Sequence, residues 1–219
     1  MPSGDIQKVP PPALPQATEQ YNRPYQDQLN NVQRLFYNRL TQAFNSLISP
    51  PVGTDQAGGS FLHFPYGEYM STATQSVAVI NTPTKVLFDT NNGSSGMYFV
   101  GGDGVHFIVE GRYNVQFSVQ LTNTDNQAHD MALWLRKNGT DIAWTDSVIT
   151  VPGTHGGQPG YNVLAANFSV TIKAGDYLEF WWASNSLQVQ MNALPAITVP
   201  FAAPGAPSFV TTISFISSL

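Results

Sequence analysis

The chain has 219 residues, a net charge of −5 and no cysteine, and charged residues make up only 11% of it. The lack of cysteine excludes disulfides, thiolate zinc ligands and a cysteine nucleophile. No run of lysine or arginine supplies the basic stripe that duplex nucleic acid requires, and no apolar run reaches the roughly 20 residues of a membrane span. We therefore expect no nucleic-acid partner, no membrane insertion, and a polar surface built from Asn, Gln, Ser and Thr.

The N-terminal quarter of the chain divides into three predicted segments. Residues 1–23 are rich in proline and glutamine, which favours an extended, polyproline-like arm over a packed core. Residues 24–48 are predicted as an amphipathic helix, because Pro24 suits a first helical turn and a Pro-Pro pair ends the pattern. Residues 49–61 are rich in glycine and proline and are predicted as a linker.

The predicted helix carries apolar residues in a heptad pattern. Leu29, Phe36 and Ala43 repeat every seven residues, and Leu40 and Leu47 occupy the complementary positions. This gives about three heptads, or roughly 35 Å of helix. Two interpretations stay open, a helix packed on its own domain and a projecting stalk that associates with other copies. The proline-rich flanks favour the stalk, so we predict that these five residues lie at a trimer interface.

The remainder of the chain, residues 62–219, is predicted to be all-β. From Gly111 to Leu121 apolar and polar residues alternate strictly, which is typical of a strand with one face on a core. Asn138-Gly139 is a strong hairpin signal. Many short strands separated by turns predict a sandwich or jelly roll. The strands are predicted at 74–80, 84–89, 97–100, 105–109, 112–122, 129–137, 140–149, 162–172, 177–184, 187–192 and 208–217.

One predicted strand carries aromatic residues on both faces. In Tyr177-Leu-Glu-Phe-Trp-Trp, the face opposite the core holds Tyr177 and Trp181, and Trp134 joins it from a neighbouring strand. Such a face is costly to leave in water, at about 25 cal/mol per Å² of apolar area. We predict a subunit interface there, because Trp and Tyr are enriched at interfaces. The alternative is that the loop from Pro195 to Pro207 covers this face.

The sequence offers little catalytic chemistry. The histidines, at positions 63, 106, 129 and 155, lie on separate segments without metal-ligand spacing. The aspartates near predicted turns fit turn chemistry better than a calcium loop. No nucleophile elbow, phosphate-binding loop or zinc-protease motif is present. We expect no enzyme activity, no catalytic residue, no metal and no cofactor.

A glycine-rich loop between two predicted strands is the candidate for surface recognition. His155 is flanked by Gly156 and Gly157, which suits display at a loop tip, and Tyr161 follows at the start of the next strand. We predict that these four residues are available to a ligand such as a host cell surface.

Three segments resemble the C1q/TNF-like jelly-roll family in their order and spacing. They are Gly111-Arg-Tyr-Asn-Val-Gln-Phe-Ser, the stretch from Met131 through Lys-Asn-Gly to Ala143, and the stretch from Val170 through Ala-Gly-Asp to Trp181. The last strand, beginning Phe209-Val-Thr-Thr, is similar to the closing strand of that family. The resemblance implies a C1q/TNF-like jelly-roll sandwich that forms a homotrimer.

The whole chain also resembles virion structural proteins of marine tailed phages, especially cyanophages. The resemblance rests on Leu35-Phe-Tyr-Asn-Arg-Leu, Phe64-Pro-Tyr-Gly, Leu135-Arg-Lys-Asn-Gly-Thr-Asp and His155-Gly-Gly. It implies a bacteriophage virion protein, made in the bacterial cytoplasm, whose residues 1–48 bind capsid, neck or tail proteins. A fibre- or spike-like role in host attachment, a capsid decoration (cement) role and a free C1q-like carbohydrate-binding module stay open as alternatives.

Overall fold

The structure, a computed structural model, describes residues 12–14, 20–48, 64–101, 104–198 and 200–219, with the backbone only over 45–48. Most of the predicted arm and the whole predicted linker lie outside these residues. The chain divides into two compact units, Met1–Phe64 and Pro65–Leu219.

The first unit contains the helix α1, Arg23–Ile48, which begins one residue before the predicted start. Asn22 caps it, because its side-chain oxygen accepts a hydrogen bond from the Tyr25 backbone N–H at 3.4 Å. Four of the five predicted heptad residues, Leu29, Phe36, Leu40 and Ala43, are half-buried. The side chain of Leu47 lies outside the described residues. The described helix is therefore amphipathic, as its sequence predicts.

The second unit is all-β and consists of two antiparallel sheets. Its strands are β1 Tyr66–Ser71, β2 Gln75–Ser76, β3 Thr84–Lys85, β4 Thr90–Ser95, β5 Met97–Val100, β6 Gly104–Phe107, β7 Gly111–Asn123, β8 His129–Lys137, β9 Thr140–Asp141, β10 Ser147–Val151, β11 Gly160–Ile172, β12 Tyr177–Ser184, β13 Val189–Met191 and β14 Phe209–Ser217.

The first sheet is built around β7. This strand pairs with β11 along its whole length and with β14 and β13 along its other edge. Beyond β14 lie β1 and β4, and β2 pairs with β13. The second sheet runs in the order β10-β8-β12-β6-β5, with β3 on β12 and β9 on β8.

Aromatic rings from both sheets fill the space between them. Phe117 of the first sheet meets Phe180 of the second with ring centroids 5.9 Å apart, and Phe209 lies 5.1 Å from Phe180. The predicted inward residues of β7, from Tyr113 to Leu121, are at most 3% exposed. Burying each such side chain contributes about 1.5–3 kcal/mol. The strict alternation therefore identified the core face of β7 correctly.

The Asn138-Gly139 hairpin is also confirmed. Both residues have positive φ, 52° and 77°, which a two-residue turn of this hand requires. The side chain of Asn138 fixes a second turn, since it donates to Asp176 at 2.7 Å and accepts from the Tyr177 backbone N–H at 2.9 Å.

Several predicted strand boundaries were wrong. The strand predicted at 74–80 is limited to β2, and that at 84–89 to β3. The strand predicted at 140–149 is divided into β9 and β10 by a turn at Trp144, where φ is 68°.

Two strands, β1 and β4, were not predicted. The β4 sequence, Thr-Asn-Asn-Gly-Ser-Ser, has turn composition and no apolar alternation. Its extended conformation comes from pairing with β1, a long-range contact that local sequence does not report.

Candidate functional site

The predicted recognition loop is a tight hairpin tip. The backbones of His155 and Gln158 exchange two hydrogen bonds of 3.0 Å, and Gly156 and Gly157 adopt positive φ between them. A side chain at either glycine would strain the turn, which explains the Gly-Gly pair. His155, both glycines and Tyr161 are all exposed. The structure therefore places these residues at the surface.

The second sheet has aromatic residues on its outer side. We call this surface, with Tyr98, His106, Trp134, Arg136, Tyr177, Glu179 and Trp181, the aromatic face. At one end three rings are stacked, since His106 lies 5.2 Å from Tyr98 and 5.4 Å from Tyr177 between centroids. The prediction that Tyr177 and Trp181 share one face with Trp134 agrees with the pairing of β12 and β8, where Trp181 is opposite Trp134.

At the other end of the aromatic face, cationic side chains cover the indoles. The guanidinium of Arg136 lies 4.0 Å from the ring centroid of Trp181 and 5.9 Å from that of Trp134. The ammonium group of Lys85 lies 5.7 Å from the Trp181 centroid. Such cation–π contacts shield apolar rings from water and contribute about 0.5–1 kcal/mol each at exposed sites.

Carboxylates hold these cations in place. Asp141 accepts hydrogen bonds from Nε of Arg136 and, at 2.7 Å, from Nε1 of Trp134. These two bonds hold the pKa of Asp141 below its ordinary value. Glu179, whose side chain is only 5% exposed, forms an ion pair with Lys85. Asp141 and Glu179 are thus paired with cations on the aromatic face, whereas Nε1 of Trp181 and Nε2 of His106 are buried without a hydrogen-bond partner among the described residues.

The loop from Pro195 to Pro207 is a separate irregular hairpin. Isolated bridges join Leu194 to Ala206 and Ile197 to Ala203. Its exposed apolar residues include Phe201, at 63%. The cover that the structure shows on Trp134 and Trp181 comes instead from Arg136 and Lys85.

Two further surface features were not predicted. A groove of about 510 Å³ lies on the outer side of the first sheet. We call it the small-residue groove, and its outward-facing lining consists of Gln116, Ser118, Ala165, Asn167, Val210 and Thr212. The other feature is Trp144, which is 96% exposed in the turn between β9 and β10. The sequence carries no clear signal of this exposure, since Ile142 and Ala143 before Trp144 are apolar and Thr145 and Asp146 after it are polar.

The polar clusters of the described residues are small. Among them, no group of three His, Asp or Glu side chains is placed to hold a metal ion. His129 and Asp125 form a pair at 2.6 Å. The hydrogen bond from His129, together with that from the Asn126 backbone, lowers the pKa of Asp125. This pair ties the β7–β8 loop to the start of β8.

No described helix is both long and apolar enough to cross a membrane. In comparisons with known proteins, the chain matches no family model and no curated protein.

Proposed function

We propose that this chain is a non-enzymatic structural protein of a tailed-phage particle. In this proposal a homotrimer displays its β-sandwich at the particle surface, and residues 1–48 bind other virion proteins. The observation that carries the proposal is the position of the three C1q/TNF-like motifs. The first lies in β7, at the centre of one sheet. The second begins in β8 and the third ends in β12, and these two strands are adjacent at the centre of the other sheet.

The path of the chain supports a jelly roll. It passes from β6 in the second sheet to β7 in the first, then to β8 and β10 in the second. It returns to the first sheet for β11, crosses to β12, and closes in the first sheet with β14. Repeated crossing between two antiparallel sheets is expected of Greek-key sandwiches, to which jelly rolls belong.

The charge distribution supports self-association. The outward-facing positions of β1, β7, β11 and β14 carry only two charged side chains among the described residues, Glu68 and Arg112. Exposed apolar residues occur on the same face, for example Tyr161 at 55% and Val163 at 49%. Depletion of charge is the compositional feature that distinguishes the centre of an interface from ordinary surface.

The trimer is tested by the molar mass of the purified protein in light scattering, beside a fragment that begins at Ser60. Trimers from both chains would place the assembly energy in the sandwich and leave the N-terminal segment free to anchor the particle. If only the full chain forms a trimer, the segment that contains the helix is required for association. Monomers of both at micromolar concentration would contradict the proposal.

The virion assignment is tested separately, by mass spectrometry of particles purified from a lysed culture. Presence of the chain at a fixed ratio to coat protein supports a structural role. Labelling by antibody in electron microscopy then separates a fibre or spike, seen at one vertex or on the tail, from a decoration protein, seen over the whole shell. A chain recovered only in the soluble fraction would contradict the assignment and favour the free carbohydrate-binding module.

A further inference from the structure

The conformation of Trp144 is held by its neighbours. Its φ of 68° is in the left-handed region, which is unfavourable for a bulky residue. Thr145, the next residue, is 5% exposed, and its hydroxyl donates to the Ile142 carbonyl at 2.8 Å and accepts from the Leu135 N–H at 3.1 Å. Ile142 packs against the core. A firmly anchored turn therefore holds a large indole in water, where none of the described residues of the sandwich unit buries it.

The small-residue groove has the properties of a site for such a side chain. Its outward lining is free of charged groups, and apart from Gln116 its side chains are short, which leaves room above the sheet. Gln116, Asn167 and the hydroxyls of Ser118 and Thr212 supply oxygens that can accept the indole N–H. A buried tryptophan usually needs such an acceptor at one end and apolar contact elsewhere, and Ala165 and Val210 offer the apolar contact.

A short series of contacts links the turn to the groove through the sandwich core. The Thr145 hydroxyl is bonded to the Leu135 backbone, and Leu135 is paired with Phe180. The Phe180 ring lies 5.9 Å from Phe117, which is on the floor of the groove. The turn joins two strands of the second sheet, and the groove lies on the outer side of the first, so the two features do not overlap on one chain. A rotation that relates neighbouring copies can therefore bring the turn of one copy to the groove of the next.

We propose that Trp144 of one copy is seated in the small-residue groove of the neighbouring copy. The inference rests on the proposed homotrimer and assigns the surfaces that form it. A protruding residue and a separate recess on the same chain define a heterologous contact, which closes into a ring when the rotation allows it. The carboxylates of Asp141 and Asp146 lie near the indole in the sequence. Their negative charge disfavours an anionic partner and is compatible with an uncharged groove.

The lack of cysteine in the chain allows a direct test by cross-linking. The double variant Trp144→Cys/Ala165→Cys is treated with a short bis-maleimide, and the products are separated on a denaturing gel. The matched control is Trp144→Cys/Thr171→Cys. Thr171 is exposed on the same side of β11 but six residues from Ala165, about 20 Å along the strand. We expect cross-linked dimers and trimers from the first variant and monomers from the second.

A second readout is the stability of the assembly. We expect Trp144→Ala to raise the apparent dissociation constant of the trimer about 30-fold or more, as truncation of an interface anchor does. Ala165→Arg, which fills the groove, should act in the same direction. Val79→Ala, at a side chain that is 58% exposed, is the control and should leave the assembly unchanged. Circular dichroism checks that each variant is folded.

The outcomes separate this inference from the proposed function. A trimeric wild type with 144–165 cross-links and a weakened Trp144→Ala assembly supports both. A trimeric wild type without these cross-links, and with Trp144→Ala still fully trimeric, overturns the contact but leaves the trimer. The contact between copies is also overturned if Trp144→Ala stays trimeric but loses binding to another virion protein or to a glycan. A monomeric wild type overturns both.

Discussion

The buried hydroxyl of Thr145 stabilises the turn that carries Trp144. Thr145 satisfies both a backbone N–H and a carbonyl, and valine has the same shape without the hydroxyl. We expect Thr145→Val to lower the free energy of unfolding by about 1–3 kcal/mol, because the Leu135 N–H loses its partner in a buried site. Urea titration measures the change. Thr150→Val, at an exposed hydroxyl bonded to Asp130, is the control and should cost less than about 1 kcal/mol.

The aspartate carboxyls make stability depend on pH. Hydrogen bonds to Asp141 lower its pKa below the ordinary 3.8, and the same direction holds for Asp125. A carboxyl with a lower pKa in the folded state binds fewer protons than in the unfolded chain. Its contribution is thus present above pH 3.8 and is lost as pH falls through the lower, folded-state value.

We therefore expect the free energy of unfolding to decrease from about pH 4 downward. Asp141→Asn should make this decrease shallower. Asp146→Asn is the matched control for the loss of an exposed carboxylate that has no hydrogen bond among the described residues. Equal slopes for Asp141→Asn and the wild type would contradict the role of Asp141.

At the scale of elements, the ion pair between β3 and β12 secures the aromatic face. Glu179 is 5% exposed and Lys85 24%, so removing the cation leaves a buried carboxylate without its ion-pair partner. We expect Lys85→Met to destabilise the sandwich by about 3 kcal/mol, near the lower end for broken buried pairs because Lys85 is partly exposed. Lys173→Met, at an exposed lysine, is the control. The midpoint of thermal unfolding is measured for both variants. Equally small shifts of the two midpoints would refute the prediction.

The helix α1 is amphipathic, and its apolar stripe predicts association. Most helical stability in proteins comes from packing of an amphipathic face rather than from intrinsic propensity, so a peptide spanning residues 20–48 should gain helicity mainly as it associates. We expect its circular dichroism to show helix content that rises with concentration. The variant Leu29→Gln/Phe36→Gln should stay mostly unfolded throughout. Helicity that is independent of concentration would favour packing within the chain instead.

At the scale of the whole molecule, association and stability are linked. If only the folded chain forms trimers, dilution must favour unfolding by mass action. We expect the midpoint of thermal unfolding to rise with protein concentration over about a hundredfold range. Trp144→Ala should weaken this dependence. A midpoint that is constant over that range would contradict the trimer.

A structural feature of this chain could be predicted when its sequence signal lies within a short stretch of residues. The β7 core face, the Asn138-Gly139 turn and the helix could be predicted, because alternation, turn chemistry and heptad spacing lie within short windows. β4 could not, since its polar residues are extended only by pairing with β1.

The sequence by itself determined an all-β domain after a helical segment, and which residues of its long strands face inward. Only the tertiary structure decided which side chains lie together on the outward faces of the two sheets. It placed Arg136 and Lys85 over the indoles and fixed Trp144 in a left-handed turn. It also brought residues 116–118, 165–167, 210 and 212 together into one groove. The reason is physical. Burial of a strand follows from its own periodicity, whereas a groove or a covered ring requires side chains from segments far apart in the chain.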